Sequence, residues 1–236
     1  MSNPNCEDES IGDVLEKKIE ALFEEASSLP VALSRNKSGT SIEVRLNFEG
    51  AHMTSLAEAR VDRIPPSAFR GYLENFRDAT TENDPTIKEM QLLGIDETDR
   101  HKREGVKVRL KLPFPLKERI MIHWKYLTIG RNGNEDEHLL ILSEQNNEEL
   151  LEKFLTKKER EKCVLARTFL CAYWIKPIRD QDKSNTITGS TIQYVFSGDI
   201  GGNIPKNFQE WVAPQTNLDT IRKVIRYGKN HAPGKC

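Results

Sequence analysis

Side chains capable of acid, base, nucleophilic or metal chemistry are scattered along this chain of 236 residues without a catalytic spacing. Neither a GxSxG nucleophile elbow nor a phosphate-binding loop occurs. No histidine pair has the HExxH spacing of a zinc site; the five histidines are His52, His101, His123, His138 and His231. We therefore expect a protein that is not an enzyme and that needs no metal and no cofactor.

The four cysteines do not form a CxxC motif, and two of them lie near the chain ends; they are Cys6, Cys163, Cys171 and Cys236. Cys171 lies in an apolar stretch, where a thiol is unreactive and behaves as a small hydrophobic group. A nucleophilic Cys171 assisted by a distant histidine is the weaker interpretation. Scattered thiols favour a reducing, cytosolic compartment.

Composition indicates a folded globular protein. Hydrophobic residues make up 37% of the chain and charged residues 30%, and the net charge of -1 gives no reason to expect nucleic acid as a partner. No apolar run approaches the ~20 residues needed to cross a bilayer. The first ten residues, MSNPNCEDES, are polar and acidic, unlike a secretory signal. These features predict a cytoplasmic location.

Apolar residues at three- and four-residue steps predict an amphipathic helix over Ile11–Leu29. A short helix is expected over Ala68–Phe76, and a charged helical insertion over Asn147–Lys162. The last helix begins near Pro205, and Pro214 is expected to kink or split it.

Most of the remaining chain alternates apolar and polar residues, as half-buried strands do. Because turn signals separate successive strands, an antiparallel sheet in an α+β domain is expected. The predicted strands are Thr40–Phe48, Met53–Val61, Ile87–Ile95, Val106–Leu112, Arg119–Ile129, His138–Glu144, Val164–Ile178 and Gly189–Ser197.

Three stretches resemble the steroidogenic-acute-regulatory-related lipid-transfer (START) domain family. They are GSTIQYVFSGDIGGNIPKNFQEW at Gly189–Trp211, LKLPFPLKERIMIHWKYL at Leu110–Leu127 and VLARTFLCAYWIKPI at Val164–Ile178. Within that family, the Pro113-Phe114-Pro115 loop followed by Arg119 resembles members of the phosphatidylcholine-transfer branch. The resemblance covers Thr40–Tyr227 and is sharpest in the second half.

That resemblance implies a helix-grip fold, in which a curved antiparallel sheet wraps a long C-terminal helix around an internal lipid cavity. It implies a START-like domain over residues 37–228. Residues 1–36 would be a tail and a helix that belong to the same domain, and residues 229–236 a short tail.

The implied cavity wall comes from three strands and the last helix; core packing is the alternative for each residue. The expected lipid-binding residues are Trp124, Lys125, Tyr126, Phe169, Cys171, Tyr173, Gln193, Val195, Phe208, Trp211 and Val212. Lys125 suits a lipid headgroup, although Val106–Leu112 offers it no carboxylate partner. Trp124, Tyr126 and Tyr173 are candidates for an aromatic cage around choline. His123 is expected to face solvent or to be hydrogen-bonded.

Pro113, Phe114, Pro115 and Ile204 are the expected membrane gate. Phe114 is interpreted as an aromatic tip at the membrane interface, the alternative being a loop residue folded onto the core. Nearby basic residues would attract anionic headgroups or simply face solvent; they are Lys107, Arg109, Lys111 and Lys117.

The function implied by this resemblance is non-enzymatic lipid binding and transfer by a monomer that touches membranes transiently. Phospholipid, sterol and other single lipids remain open as ligands. One alternative is a module that senses lipid without transporting it. A second alternative is a helix-grip hydrolase or cyclase.

Overall fold

The computed structural model describes residues 11–83, 86–98, 101–112, 116–131, 134–144, 147–180, 182, 185–202 and 204–233. Pro113, Phe114 and Pro115, three of the four expected gate residues, lie outside these ranges. Their assignment to a gate stays a prediction.

Ten strands in the described ranges form one sheet, in the order β1-β2-β3-β10-β9-β7-β6-β5-β4. Neighbours along this path are antiparallel, and β8 is added in parallel beside β6. The predicted antiparallel α+β class is confirmed. The strands are β1 Val31–Lys37, β2 Thr40–Glu49, β3 His52–Asp62, β4 Ile87–Thr98, β5 His101–Leu110, β6 Arg119–Ile129, β7 His138–Ser143, β8 Val164–Leu165, β9 Arg167–Asp180 and β10 Thr186–Asp199.

Six helices accompany the sheet in the described part of the chain. They are α1 Ile11–Ser27, α2 Ser67–Glu74, α3 Phe76–Asn83, α4 Glu148–Phe154, α5 Lys157–Lys162 and α6 Lys206–His231. The last helix continues through Pro214 as one element, so the expected split does not occur. Ala213 and Leu218 are buried on either side of that proline, and their packing holds both halves of α6 in place.

The sheet has two buried faces, which we name by the helices that cover them. The inner face carries an apolar cluster shared with α2, α3 and α6, including Tyr72, Phe76 and Ile221. The outer face carries a second cluster shared with α1 and α4, including Ile19 and Leu150. A sheet covered on both sides keeps little of the simple alternation of apolar and polar residues.

Charged side chains fix α1 on the outer face. Arg131 donates hydrogen bonds to Glu16 at 2.8 Å and to Glu20 at 2.6 Å. Phe23 of α1 packs against Trp174 with ring centroids 5.3 Å apart, and the Trp174 indole donates to Glu137. Burial alone would lower the pKa of Arg131, but the two α1 carboxylates outweigh it and raise that pKa.

The predicted insertion forms two short helices, α4 and α5. Lys107 on β5 reaches Glu159 of α5 at 2.6 Å and donates to the Phe154 carbonyl at 3.0 Å. Burial would raise the pKa of Glu159, but the Lys107 and Thr156 hydrogen bonds lower it to about 2. Lys107 is therefore committed to this insertion, and the expectation that it attracts lipid headgroups is wrong.

Candidate functional site

A cavity lies between the inner face of the sheet and α6, in two adjoining compartments. The junction compartment, about 200 Å³, lies where β10 turns into α6 and includes Ile200 and Ile204 in its wall. The α3 compartment, about 160 Å³, includes Phe76 and Thr80 of α3. Both compartments share one set of lining residues, which are Leu110, Met121, Tyr194, Phe196, Thr216 and Thr220.

Among the described residues that line the junction compartment, Arg119 is the charged one. Its guanidinium donates to the carbonyls of Ile200 at 2.8 Å, Gly201 at 3.0 Å and Lys117 at 2.5 Å. Burial lowers its pKa. Arg119 thus links the start of β6 to the turn before α6. Three of its N–H groups donate to backbone carbonyls at the cavity wall.

The turn from β10 into α6 needs glycine. Gly201 has φ +70° and Gly202 has φ +73°, in the left-handed region that other residues rarely adopt. A Cβ on Gly201 would lie 2.7 Å from Val164 Cγ1 and 2.8 Å from the Leu165 carbonyl oxygen. The Asp-Ile-Gly-Gly motif therefore forms a turn that packs closely against β8, four residues before α6 begins.

Aromatic rings and a few polar groups line the α3 compartment. Tyr173 contacts both Tyr194 and Phe76, with ring centroids 4.8 and 5.5 Å apart. His123 and Thr80 also line this compartment, and both residues are buried. Burial lowers the pKa of His123 to about 4, so its imidazole is neutral near pH 7. The expectation that His123 faces solvent is wrong, and no described residue hydrogen-bonds its ring nitrogens.

Four of the predicted site residues line the cavity. Cys171 and Tyr173 line the α3 compartment, and Val212 and Ile204 line the junction compartment. Their roles in binding or gating stay predictions. Burial raises the pKa of the Cys171 thiol to about 12, which leaves it protonated and unsuited to nucleophilic attack.

Trp124 and Tyr126 do not line the cavity. Both belong to the apolar cluster on the outer face of the sheet, so the predicted aromatic cage with Tyr173 is wrong. The error came from β6, which is buried on both faces along most of its length, so that large apolar residues occur at odd and even positions alike. Among the described residues of this strand, Arg119, Met121 and His123 line the cavity.

Three more predicted residues lie on the outer face. Val195 belongs to the outer cluster, and Gln193 donates to the exposed Glu58 at 2.5 Å. Phe169 packs against His52 with ring centroids 5.3 Å apart. The pairing of β9 with β10 shifts beside Thr168, and the irregularity turns Phe169 outward while Thr168 lines the cavity.

On α6 the three predicted residues have different outcomes. Val212 lines the junction compartment, whereas Trp211 is 75% exposed and does not face the sheet as expected. The side chain of Phe208 lies outside the described part of the chain. An exposed tryptophan one residue from a cavity-lining valine places a large aromatic group at the surface near the cavity wall.

Lys125 has the acidic partner that the sequence did not reveal. Its ammonium group lies 2.9 Å from Glu104, directly across the β5–β6 pair. The partner was missed because β5 begins at His101, before the predicted start at Val106, and therefore includes Glu104. Neither residue is among those that line the two compartments, so Lys125 is not placed to meet a ligand there.

The main lining residues that sequence reasoning missed are Tyr194 and Phe196 on β10 and Thr216 and Thr220 on α6. A signal for the first two existed. Ile192, Tyr194 and Phe196 are apolar at alternate positions, opposite Thr191, Gln193 and Ser197. The threonines follow Val212 at four-residue steps, which places all three on one side of the helix.

Among the described residues, no group of three or more His, Cys, Asp or Glu side chains is arranged to hold a metal ion. The helices of the described ranges are all too short or too polar to cross a bilayer.

Solved structures show what this architecture resembles. Human StAR-related lipid transfer protein 5 matches with a TM-score of 0.66 and 12% identity, over 93% of this chain and 95% of that one. Human STARD10 matches with a TM-score of 0.61 and 13% identity, over 97% and 83% of the two chains. A STAR-related lipid transfer protein from Xanthomonas axonopodis matches with a TM-score of 0.57 and 15% identity, over 84% and 98%.

No model of a known protein family matches the sequence, and no curated protein matches it either. At identities this low, the structural likeness establishes the fold and nothing finer. The large antiparallel sheet and the long C-terminal helix are the features that match. The chain therefore has the helix-grip fold of StAR-related lipid transfer (START) domains.

Proposed function

We propose that this protein binds one lipid in the cavity under α6 and transfers it between membranes without changing it chemically. The observation that carries the proposal is the cavity itself, whose junction compartment is walled mostly by apolar side chains such as Leu112, Met121 and Val212. Each methylene hidden from water stabilises the bound lipid by about 0.8 kcal/mol. The fold, shared with proteins named for lipid transfer, supports the same function.

Lipid entry requires part of the wall to move, and α6 with the turn before it is the proposed gate. Ile204 lies in the wall just before the helix begins, and the Pro113–Pro115 segment follows Leu112, another lining residue. Trp211, exposed near the same wall, suits the boundary between headgroups and acyl chains. We propose transient membrane contact through this end of α6 and a monomeric, cytoplasmic carrier.

An enzyme is the less favoured function. The candidate nucleophile Cys171 is protonated at neutral pH, and His123 is the only histidine among the described lining residues of the two compartments. A lipid sensor would use the same cavity, so a transfer assay is needed to separate sensing from transport.

The test measures movement of a fluorescent sterol and a fluorescent phosphatidylcholine from donor to acceptor vesicles. Ala213→Phe places a ring where Ala213 now lines the cavity, and overpacking costs about 1–3 kcal/mol, so at least one transfer rate should fall about tenfold. Arg226→Phe adds the same side chain at an exposed position of α6 and should leave the rates unchanged.

Trp211→Ala separates gating from binding in that assay, because it should slow transfer while lipid binding persists. Lipid binding without accelerated exchange would favour the sensor. A chemically altered lipid would favour the enzyme, and wild-type protein that neither binds nor transfers any lipid would refute the proposal.

A further inference from the structure

Three buried polar atoms at the α3 compartment have no hydrogen-bond partner within the described ranges: His123 Nδ1, His123 Nε2 and Thr80 Oγ1. His123 is 2% exposed and Thr80 is 6% exposed, and both residues line the compartment. Buried polar groups in folded proteins nearly always find a partner. Two such residues from separate elements, β6 and α3, border one cavity, which indicates that a ligand completes their hydrogen bonds.

We propose that His123 and Thr80 form a polar subsite that holds the hydroxyl group of an uncharged lipid. This inference rests on the proposed lipid-binding function and specifies its ligand.

The hydrogen-bonding chemistry of the two residues favours a hydroxyl. A neutral imidazole offers one donor and one acceptor, and the threonine hydroxyl can act as either. A ligand hydroxyl also donates one hydrogen bond and accepts others, so it can supply the kind of partner that each residue lacks. Burial keeps His123 neutral, so the pair presents no charge that would call for an anionic headgroup.

Charge in the cavity argues against a phosphocholine headgroup. The described lining residues include Arg119 in one compartment and Lys223 in the other, and no carboxylate in either. A quaternary ammonium ion would meet cations of its own sign. Arg119 already donates three of its five N–H groups to backbone carbonyls, so only two remain for a phosphate.

Cavity size favours the same class. The compartments of about 200 and 160 Å³ together lie at the low end of the range for small-molecule sites, about 300–1,000 Å³. A fused-ring or single-chain lipid suits that volume better than a lipid with two acyl chains. The polar subsite borders the α3 compartment, so the apolar body of such a lipid would extend toward the junction compartment.

The test compares lipids that differ only in the hydroxyl group. Wild-type protein is incubated with vesicles containing radiolabelled cholesterol or its 3-methyl ether, and separately 1-hexadecanol or its methyl ether, and the bound label is measured. Phosphatidylcholine is the third class of probe. One hydrogen bond to a neutral partner should favour the hydroxyl lipid over its ether by about 3- to 10-fold.

His123→Phe and Thr80→Val should each reduce that preference, and Thr80→Val preserves side-chain shape if the larger change prevents folding. His138→Phe is the matched control. His138 is 1% exposed and, within the described ranges, its ring nitrogens also lack partners, yet it lines neither compartment. Its variant should keep the wild-type preference.

The outcomes distinguish a failure of the proposed subsite from a failure of the proposed lipid-binding function. Preference for the hydroxyl lipids that is lost in the subsite variants and kept in His138→Phe supports the subsite. Equal binding of alcohols and ethers, or stronger binding of phosphatidylcholine, overturns the subsite and leaves lipid binding intact. Wild-type protein that takes up none of the probes overturns both.

Discussion

The environment of His123 differs from what its sequence position suggested. This residue follows Ile122 in a strand that alternates imperfectly, and its polar ring pointed to solvent or to a hydrogen bond. Instead it is buried at the cavity, because α2, α3 and α6 cover the inner face of the sheet. No single-residue property reveals such burial, since it depends on distant helices packing over β6.

Burial of His123 predicts that acid destabilises the protein. Its pKa is about 4 in the folded state and about 6.5 when unfolded, so the unfolded chain binds the proton first as pH falls. The stabilisation is complete above pH 6.5 and is lost between pH 6.5 and 4, at up to about 1.4 kcal/mol per pH unit. Urea unfolding at pH 7.5, 5.5 and 4.5 measures this loss.

His123→Phe removes that titrating group, so the free energy of unfolding of this variant should fall less steeply between pH 6.5 and 4. His138, whose pKa is also lowered by burial, should leave part of the slope in place. An identical slope in wild-type protein and His123→Phe would show that His123 is not buried as described.

At the scale of elements, the sequence predicted most helices and strands because their apolar periods are strong. β6 was placed at Arg119–Ile129 as observed, and the C-terminal helix was expected where α6 lies. The face of each strand was harder to predict. Apolar residues occur on both sides of β6, and an irregularity in β9 reverses the side on which Phe169 lies. Period-two reasoning fails where both faces are buried or a bulge adds a residue.

The β10–α6 turn supplies a prediction about the element that closes the cavity. Gly201→Ala should lower the free energy of unfolding by more than 2 kcal/mol (about 1–2 for the left-handed backbone, plus the clash with Val164 and Leu165). Gly50→Ala is the control, because Gly50 has φ +65° with nothing within 4 Å of the added Cβ. Gly50→Ala should therefore lower the free energy of unfolding only by the cost of the left-handed backbone.

Urea unfolding of both variants checks this prediction. Equal losses at the two glycines would mean that the turn relaxes around the new methyl group, and the close approach of Gly201 to β8 would then not constrain the turn.

For the whole molecule, the resemblance of the β10–α6 sequence to START domains predicted the architecture. The residues that line the cavity could be identified only from the structure. Of the expected lining residues, Cys171, Tyr173 and Val212 line the cavity, while Trp124, Tyr126 and Val195 pack on the outer face. The reason is that α1 and α4 build a second core outside the sheet. A sequence with two cores contains more large apolar residues than one cavity can use, and their faces depend on packing between distant segments.

Native mass spectrometry of the protein after incubation with vesicles tests the central claim most directly. Wild-type protein should carry one lipid molecule per chain, and Ala213→Phe, which fills the space under α6, should carry far less while Arg226→Phe matches the wild type. Equal lipid loading of all three proteins would place the lipid elsewhere and contradict a binding site between the sheet and α6.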